Sequence, residues 1–362
     1  MSLDIALYRL HNQRLSQTDF TKPAEVVSWM GAVQSQDFAG AKWAIGLRTN
    51  GLSEADVERA FAEGSILRTH ILRPTWHFVT PTDIRWMLEL TAPRVRAQIG
   101  FMDRQLELDK EIFTNSNKVL TKALRGGNQL TRADLGAALQ KEKINTDDLR
   151  LGHLMMHAEL DGVVCSGARL GKQFTYALLE EHVTEHKNLQ REEALVELTR
   201  RYFRSHGPAT LKDFVWWSGL SVADARMGLE AIQSEFHQEV IEKETYWFAE
   251  PLSKEIKASN RAYFLPNYDE YTVGYADRSA IFDHSHVNKL DARGSVLAQH
   301  VVLTAGQIVA SWKRTIKKNG VEIVVKPFRE LKRSEIKAII GAAERYALFL
   351  GLSFALTFEE TQ

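Results

Sequence analysis

A chain of 362 residues exceeds a single small module and predicts two or three packed units. Hydrophobic residues make up 44%, enough for real cores, yet no apolar run of about 18 residues is present to span a membrane. Lysine plus arginine and aspartate plus glutamate each number 46, which excludes a protein that coats polyanions indiscriminately. One cysteine, Cys165, excludes an internal disulfide framework, and without an apolar leader near Met1 the expected compartment is the cytoplasm.

Residues 23–33 and 53–62 read as helices, the second opening with Ser53 and Asp56 at capping-box spacing. Residues 66–72 and 75–79 predict a hairpin turning at Arg73-Pro74. Thr80-Pro81 starts another helix, because proline is welcome in a first helical turn. A helix over 120–125 is stopped by Gly126-Gly127, and Thr131-Arg132-Ala133-Asp134 caps the next one. A third helix covers 149–160, and strands at 163–166 and 174–178 flank the Gly167–171 turn.

The same order then returns. A helix over 194–204 ends at Gly207-Pro208, and Thr210-Leu211-Lys212-Asp213-Phe214 repeats the hydroxyl, acid and apolar spacing of 131–135. Residues 222–236 form a third helix, with strands around 239–249 and 262–265. Three helices followed by a hairpin is the order of a winged helix, and two copies with matching punctuation predict a tandem. Strands at 301–310 and 321–325 flank a basic stretch, and 333–350 is a closing amphipathic helix. The expected fold is mainly α with small β-hairpins (α+β), as tandem winged-helix domains. The expected units are 1–110, 111–190, 191–290 and 291–362.

Charge is unevenly spread over these units. Residues 191–290 hold 12 basic and 16 acidic side chains, whereas 291–362 hold 11 and 7. Lys313, Arg314, Lys317, Lys318, Lys326, Arg329, Lys332 and Arg333 stand among Glu322 and Glu330. This local patch fits either phosphate contact or a solvated hairpin. Arg169 and Lys172 sit at the tip of the 163–178 hairpin, where a wing would meet phosphate and where surface bases are also common.

Few motifs carry chemistry. His153 and His157, and likewise His182 and His186, are spaced i, i+4, but neither pair has the glutamate of a zincin helix and there is no Cys-x-x-Cys. No metal or cofactor is therefore expected. Cys165, among apolar residues in a strand, reads as inert core. Trp216 and Trp217 point about 100° apart on a helix, giving one core ring and one interface ring, or a stacking platform. Asp269 and Glu270 fit a catalytic carboxylate pair or a turn between strands. Gln34-Ser35-Gln36-Asp37 follows a helix. If that stretch is extended, Gln34 and Gln36 point the same way and two amides can hold one water. By composition alone they are surface decoration.

The segment Val33-Gln34-Ser35-Gln36-Asp37-Phe38-Ala39-Gly40-Ala41 resembles the Gln–x–Gln motif of the AlkZ-type winged-helix DNA glycosylases. Leu72-Arg73-Pro74-Thr75-Trp76-His77-Phe78-Val79 is similar to that family's Thr–hydrophobic–His segment. Similarity continues through His206-Gly207-Pro208-Ala209-Thr210, Trp216-Trp217-Ser218-Gly219-Leu220 and Leu265-Pro266-Asn267-Tyr268-Asp269, so it covers most of the chain. The resemblance implies a C-shaped array of winged helices around double-stranded DNA, acting as a monomer. It also implies hydrolysis of the N-glycosidic bond of cationic N-alkylated purines or interstrand crosslinks. Gln34 and Gln36 would position the attacking water, with Thr75 and His77 in support. Arg73, Arg169, Lys172, Lys313, Arg314, Lys317 and Lys318 would contact DNA. Ser35 departs from the hydrophobic residue usual between the two glutamines. Asp37 lies one place beyond the position where some relatives carry aspartate. No lysine is marked as a Schiff-base nucleophile, which favours a monofunctional hydrolase over a lyase. A non-enzymatic winged-helix DNA-binding or regulatory protein is the alternative, and a small-molecule binder is a more distant one.

Overall fold

The computed structural model describes residues 3–249, 256, 259–290 and 295–360. Its N-terminal part is organised by a helix stop. Helix Pro23–Met30 ends at Gly31, whose φ of 81° suits glycine, and the chain then runs extended through Val33–Gln34. That short strand pairs antiparallel with Trp76–Val79, which pairs on its other edge with Leu67–His70. Alternate side chains therefore enter different cores. Ala32 and Leu67 join the core containing Trp86, Tyr202 and Trp217. Val33 and Phe78 join the one containing Trp43, Trp312 and Tyr346. The strand carrying Gln34 is thus pinned from both sides.

The predicted caps form as hydrogen bonds. Ser53, Thr131 and Thr210 each accept from the backbone N–H three residues on, while Asp56, Asp134 and Asp213 accept from the cap residue's own N–H. Such a cap contributes about 1 kcal/mol. Helices Lys110–Leu124, Arg132–Lys141 and Arg150–Leu160 precede strands Val164–Ser166 and Thr175–Leu178. Helices Arg191–His206, Leu211–Ser218 and Val222–Ile232 precede the hairpin His237–Ile241 and Glu244–Phe248. Both stretches show the predicted order of elements.

The C-terminal part is more extensively paired than expected. A five-stranded sheet runs Ser353–Phe358, Gly320–Pro327, Gln307–Ile316, Val301–Thr304, Ala262–Leu265, with the first pair parallel and the others antiparallel. Strand Ala262–Leu265, placed by sequence in the preceding unit, is the edge strand here. The single strand expected over 301–310 is broken at Ala305 and Gly306, both at positive φ, and the Gly306 carbonyl accepts from the buried Tyr271 hydroxyl. The basic stretch consequently begins inside strand Gln307–Ile316 rather than between strands. Helix Phe38–Leu47 escapes sequence reading because it is apolar almost all round, so no 3.6-residue periodicity marks it. Among the described residues no helix is long and apolar enough to cross a membrane.

One buried ion pair locks the parts together. Arg48, at the end of helix Phe38–Leu47, grips Asp269 with both terminal nitrogens, Nη2 to Oδ1 at 2.7 Å and Nη1 to Oδ2 at 2.9 Å. Gln13 Oε1 and the Ala44 carbonyl take further guanidinium protons. Both partners of the pair are buried. Replacing Arg48 by methionine is expected to cost about 3–5 kcal/mol in urea unfolding, because Asp269 is left charged and unpaired in the interior.

Candidate active site

The Gln34–Gln36 segment is extended, not the frayed end of a helix. Ser35 N–H donates to the Trp76 carbonyl at 2.7 Å, and Gln34 stands opposite His77 in the ladder. Asp37 then caps the next helix by accepting from Gly40 N–H at 3.1 Å. Its carboxylate has a structural duty and does not replace the second amide.

Gln34 is only 8% exposed. Its backbone N–H donates to Glu270 Oε1 at 2.7 Å, and its side-chain Oε1 accepts from Arg73 Nη2 at 3.3 Å. Gln36 is exposed, and its Oε1 lies 3.5 Å from Trp76 N–H, a weak contact. Ser35 points away from both into the interior, where its hydroxyl finds no partner among the described residues. An apolar side chain would suit that pocket better than a hydroxyl.

His77 is fully buried behind the strand. Its Nδ1 lies 3.0 Å from the Thr75 carbonyl, and since a carbonyl only accepts, Nδ1 carries the proton. Nε2 is left with a free lone pair and has no partner among the described residues. Burial, reinforced by the Arg73 guanidinium, pushes the His77 pKa down to about 3, so the ring is neutral at physiological pH. The Thr75 hydroxyl is likewise buried and unpartnered among the described residues.

Of these groups only Gln34 and Thr75 line the adjoining cleft of about 490 Å³, with Arg73, Arg94, Trp216 and Tyr268 among its other walls. Gln36 and His77 are outside that lining, Gln36 on the surface and His77 behind the wall. Three larger cavities, two of about 670 Å³ and one of about 570 Å³, contain none of the sequence-predicted site residues. The cleft's floor is set by a close approach. Gly219, at φ 68°, lies so near the Leu72 carbonyl that a Cβ there would fall 2.2 Å from its oxygen. Trp217 is core, with its indole N–H on Glu270 Oε2 at 2.9 Å, whereas Trp216 is 42% exposed and ties its N–H to the Val273 carbonyl. The two rings thus divide between core and cleft, as their angular separation on the helix predicts.

A family model described as DNA glycosylase AlkZ-like matches residues 27–349. The chain belongs to the AlkZ-like DNA glycosylase family. It is 23% identical over 367 residues to an interstrand DNA cross-link repair glycosylase of Streptomyces sahachiroi, covering 96% of this chain and 95% of that one. Its fold is that of the solved Streptomyces sahachiroi DNA glycosylase AlkZ, with a TM-score of 0.80 at 21% identity over 98% of each chain.

Sequence leaves Glu270 as half of a carboxylate pair or part of a turn. It opens the short helix Glu270–Val273, and its carboxylate is fully buried against the glutamine segment. Asp269 and Glu270 are adjacent but diverge, the first to Arg48 and the second to Gln34, so they share no substrate. No local signal marks Glu270 as a neighbour of Gln34, because the contact spans 236 positions.

The basic residues disperse. Arg169 is not a free wing-tip cation. Its Nη1 lies 3.2 Å from Glu58 Oε1, and its guanidinium sits over the Phe38 and Phe174 rings. It joins the hairpin to helix Glu54–Ala62 by charge and cation–π attraction. Lys172, Lys313 and Lys318 are exposed, and exposed Lys317 pairs with Glu322. Arg314, on the opposite side of the strand from Lys313, turns inward beside Trp312 and Tyr346, 3.9 Å from Asp37. Neither histidine pair holds a metal cluster among the described residues. His153 and His157 share a helix face and both grip Asp103. Burial raises the Cys165 thiol to about 12, which keeps it inert.

In an NMR titration of labelled histidine, His77 is expected to stay neutral with its proton on Nδ1 from about pH 8 to 5, through the model imidazole value of about 6.5. A His77 midpoint near that value would contradict the buried tautomer. Through linkage, His77 is expected to stabilise the fold fully above about pH 6.5 and progressively less as pH falls toward 3. Ser35→Ala is expected to raise unfolding free energy by about 1 kcal/mol by removing an unpartnered hydroxyl.

Proposed function

We propose that the chain is a monofunctional DNA glycosylase that hydrolyses the N-glycosidic bond of cationic N-alkylated purines or interstrand crosslinks in duplex DNA. Gln34 and Gln36 position the attacking water, with Thr75 and His77 completing the site. The observation that carries this reading is the Gln34 side chain at the cleft, oriented by Arg73, in a wall it shares with Thr75, whose hydroxyl has no partner among the described residues. A water in the cleft meets the Gln34 amide, a group that orients it without taking its proton.

The chemistry suits such a site. Alkylation of a ring nitrogen makes the base cationic, so the glycosidic bond pair leaves with the base and neutralises it. Positive charge develops on the sugar, and water oxygen bonds to the anomeric carbon while its proton passes to solvent. No strong base is needed at neutral pH, and an amide cannot act as one. Schiff-base chemistry lacks a candidate, since no lysine lines the cleft and buried Lys42 is held by Glu54 and Glu58. Intact and neutral damaged bases should therefore be poor substrates.

The DNA-binding proposal is a C-shaped tandem of winged-helix units, 1–110, 111–190, 191–290 and 291–362, around the duplex. Lys313, Lys317, Lys318 and Lys172 contact phosphate as exposed cations. Arg73 acts at the cleft. Arg169 and Arg314, already engaged, serve by shaping the surface. Overall neutrality keeps binding to undamaged DNA weak.

Under single-turnover conditions, wild type is expected to release base from duplex DNA carrying ring-nitrogen-methylated guanine. Gln34→Ala and Gln36→Ala should each slow release on the order of 100-fold. Bound DNA with no abasic product from wild type would favour a non-enzymatic DNA-binding protein. Replacing Lys313, Lys317 and Lys318 with serine is expected to lower the slope of log affinity against log salt by about 0.9 for each phosphate no longer neutralised.

A further inference from the structure

We propose that Glu270 is a positioning residue for base release, aiming Gln34 and holding a negative charge beneath the cleft where positive charge develops on the sugar. This rests on the hydrolase reading above. The carboxylate is completely buried. Its Oε1 accepts from Gln34 N–H at 2.7 Å, and its Oε2 accepts from Trp217 Nε1 at 2.9 Å with His206 Nε2 at 3.4 Å. Burial alone would raise its pKa, but His206 above all, with a smaller share from Gln34 N–H, offsets that and holds it below the usual carboxylate value.

Two considerations separate this role from packing. The first is the cost of burying the charge. Anchoring Gln34 N–H needs an acceptor, and a neutral acceptor of the same shape would meet a smaller desolvation cost than a carboxylate. What the carboxylate adds is its charge. The second is the sign of the surroundings. Arg73 bonds directly to Gln34 Oε1, so the cleft's nearest fixed charge is positive and opposes a cationic transition state. Glu270 lies close enough to lower the His77 ring's ionisation cost and to counter Arg73. In a dry interior such a field is weakly screened.

The test compares binding of two duplexes. One carries a neutral tetrahydrofuran abasic analogue, the other a pyrrolidine analogue that is cationic where the oxocarbenium would form. Wild type is expected to prefer the cationic analogue by about tenfold or more. Glu270→Gln should bind the neutral analogue unchanged, lose that preference and release base roughly 10- to 100-fold more slowly. Glu270→Asp keeps the charge but draws it back from Gln34 N–H, so it should keep the preference while release slows. Loss of backbone anchoring alone would slow both variants without removing the preference from Glu270→Gln. A preference surviving in Glu270→Gln, or vanishing in Glu270→Asp, overturns the proposal. If the glutamine variant does not fold, Glu270→Met, of similar volume and without charge, takes its place in the comparison. Wild type that releases base without any preference defeats this inference and leaves the hydrolase reading intact. Wild type that releases none defeats both.

Discussion

The hydrogen bond from Gln34 N–H to Glu270 joins two pieces of chain that have no local reason to meet, and the remaining geometry of the cleft follows from it. One side is a two-residue strand delivered by a helix stop at Gly31. The other is the turn Asp269–Val273, which is useful only if it cannot shift. The Arg48–Asp269 pair provides that rigidity, with every guanidinium hydrogen bond made to a buried oxygen. Breaking the Arg48 pair would leave the Asp269 charge without a counter-ion in a dry interior. The arrangement also explains why the glutamine segment can be so short. It is held by the ladder at His77, by Glu270 and by side chains entering two cores, so its own two-residue length hardly matters.

Local chemistry was legible where it repeats. The hydroxyl-acid caps at Ser53, Thr131 and Thr210 and the glycine stop at 126–127 are short-range signals, and the structure realises each as named hydrogen bonds or positive φ. Resemblance groups Gln34, Gln36, Thr75 and His77; Gln34 and Thr75 line one cleft together with Arg73, whereas Gln36 and His77 lie outside its lining. What stayed hidden is long-range. Strand Ala262–Leu265 pairs with Val301–Thr304, distant in sequence, Glu270 meets Gln34, and Arg169 meets Glu58. Periodicity describes which face of an element is buried, not what it is buried against. The basic stretch shows the same limit. Counting charges located it, but the pleat sends Arg314 inward and Lys313 outward, so one sequence cluster becomes two different surfaces.

The electrostatics fit a reaction that creates positive charge and needs little proton transfer. His77 is neutral and donates through Nδ1 to the chain, leaving only an acceptor free. Gln34 and Thr75 supply polar groups that do not ionise near neutrality. In the proposed reaction such a site would orient water instead of deprotonating it, and would depend on the lesion to weaken the bond being broken. Ser35 belongs to the scaffold of this site: its hydroxyl faces away from the cleft, and its burden falls on stability.

The most direct measurement is the pH dependence of the single-turnover release of an alkylated adenine from duplex DNA. With water held by amides and no general base, the rate should be flat between about pH 5.5 and 8.5. A rate that rises through one ionisation inside that window would mark a catalytic base and contradict the account.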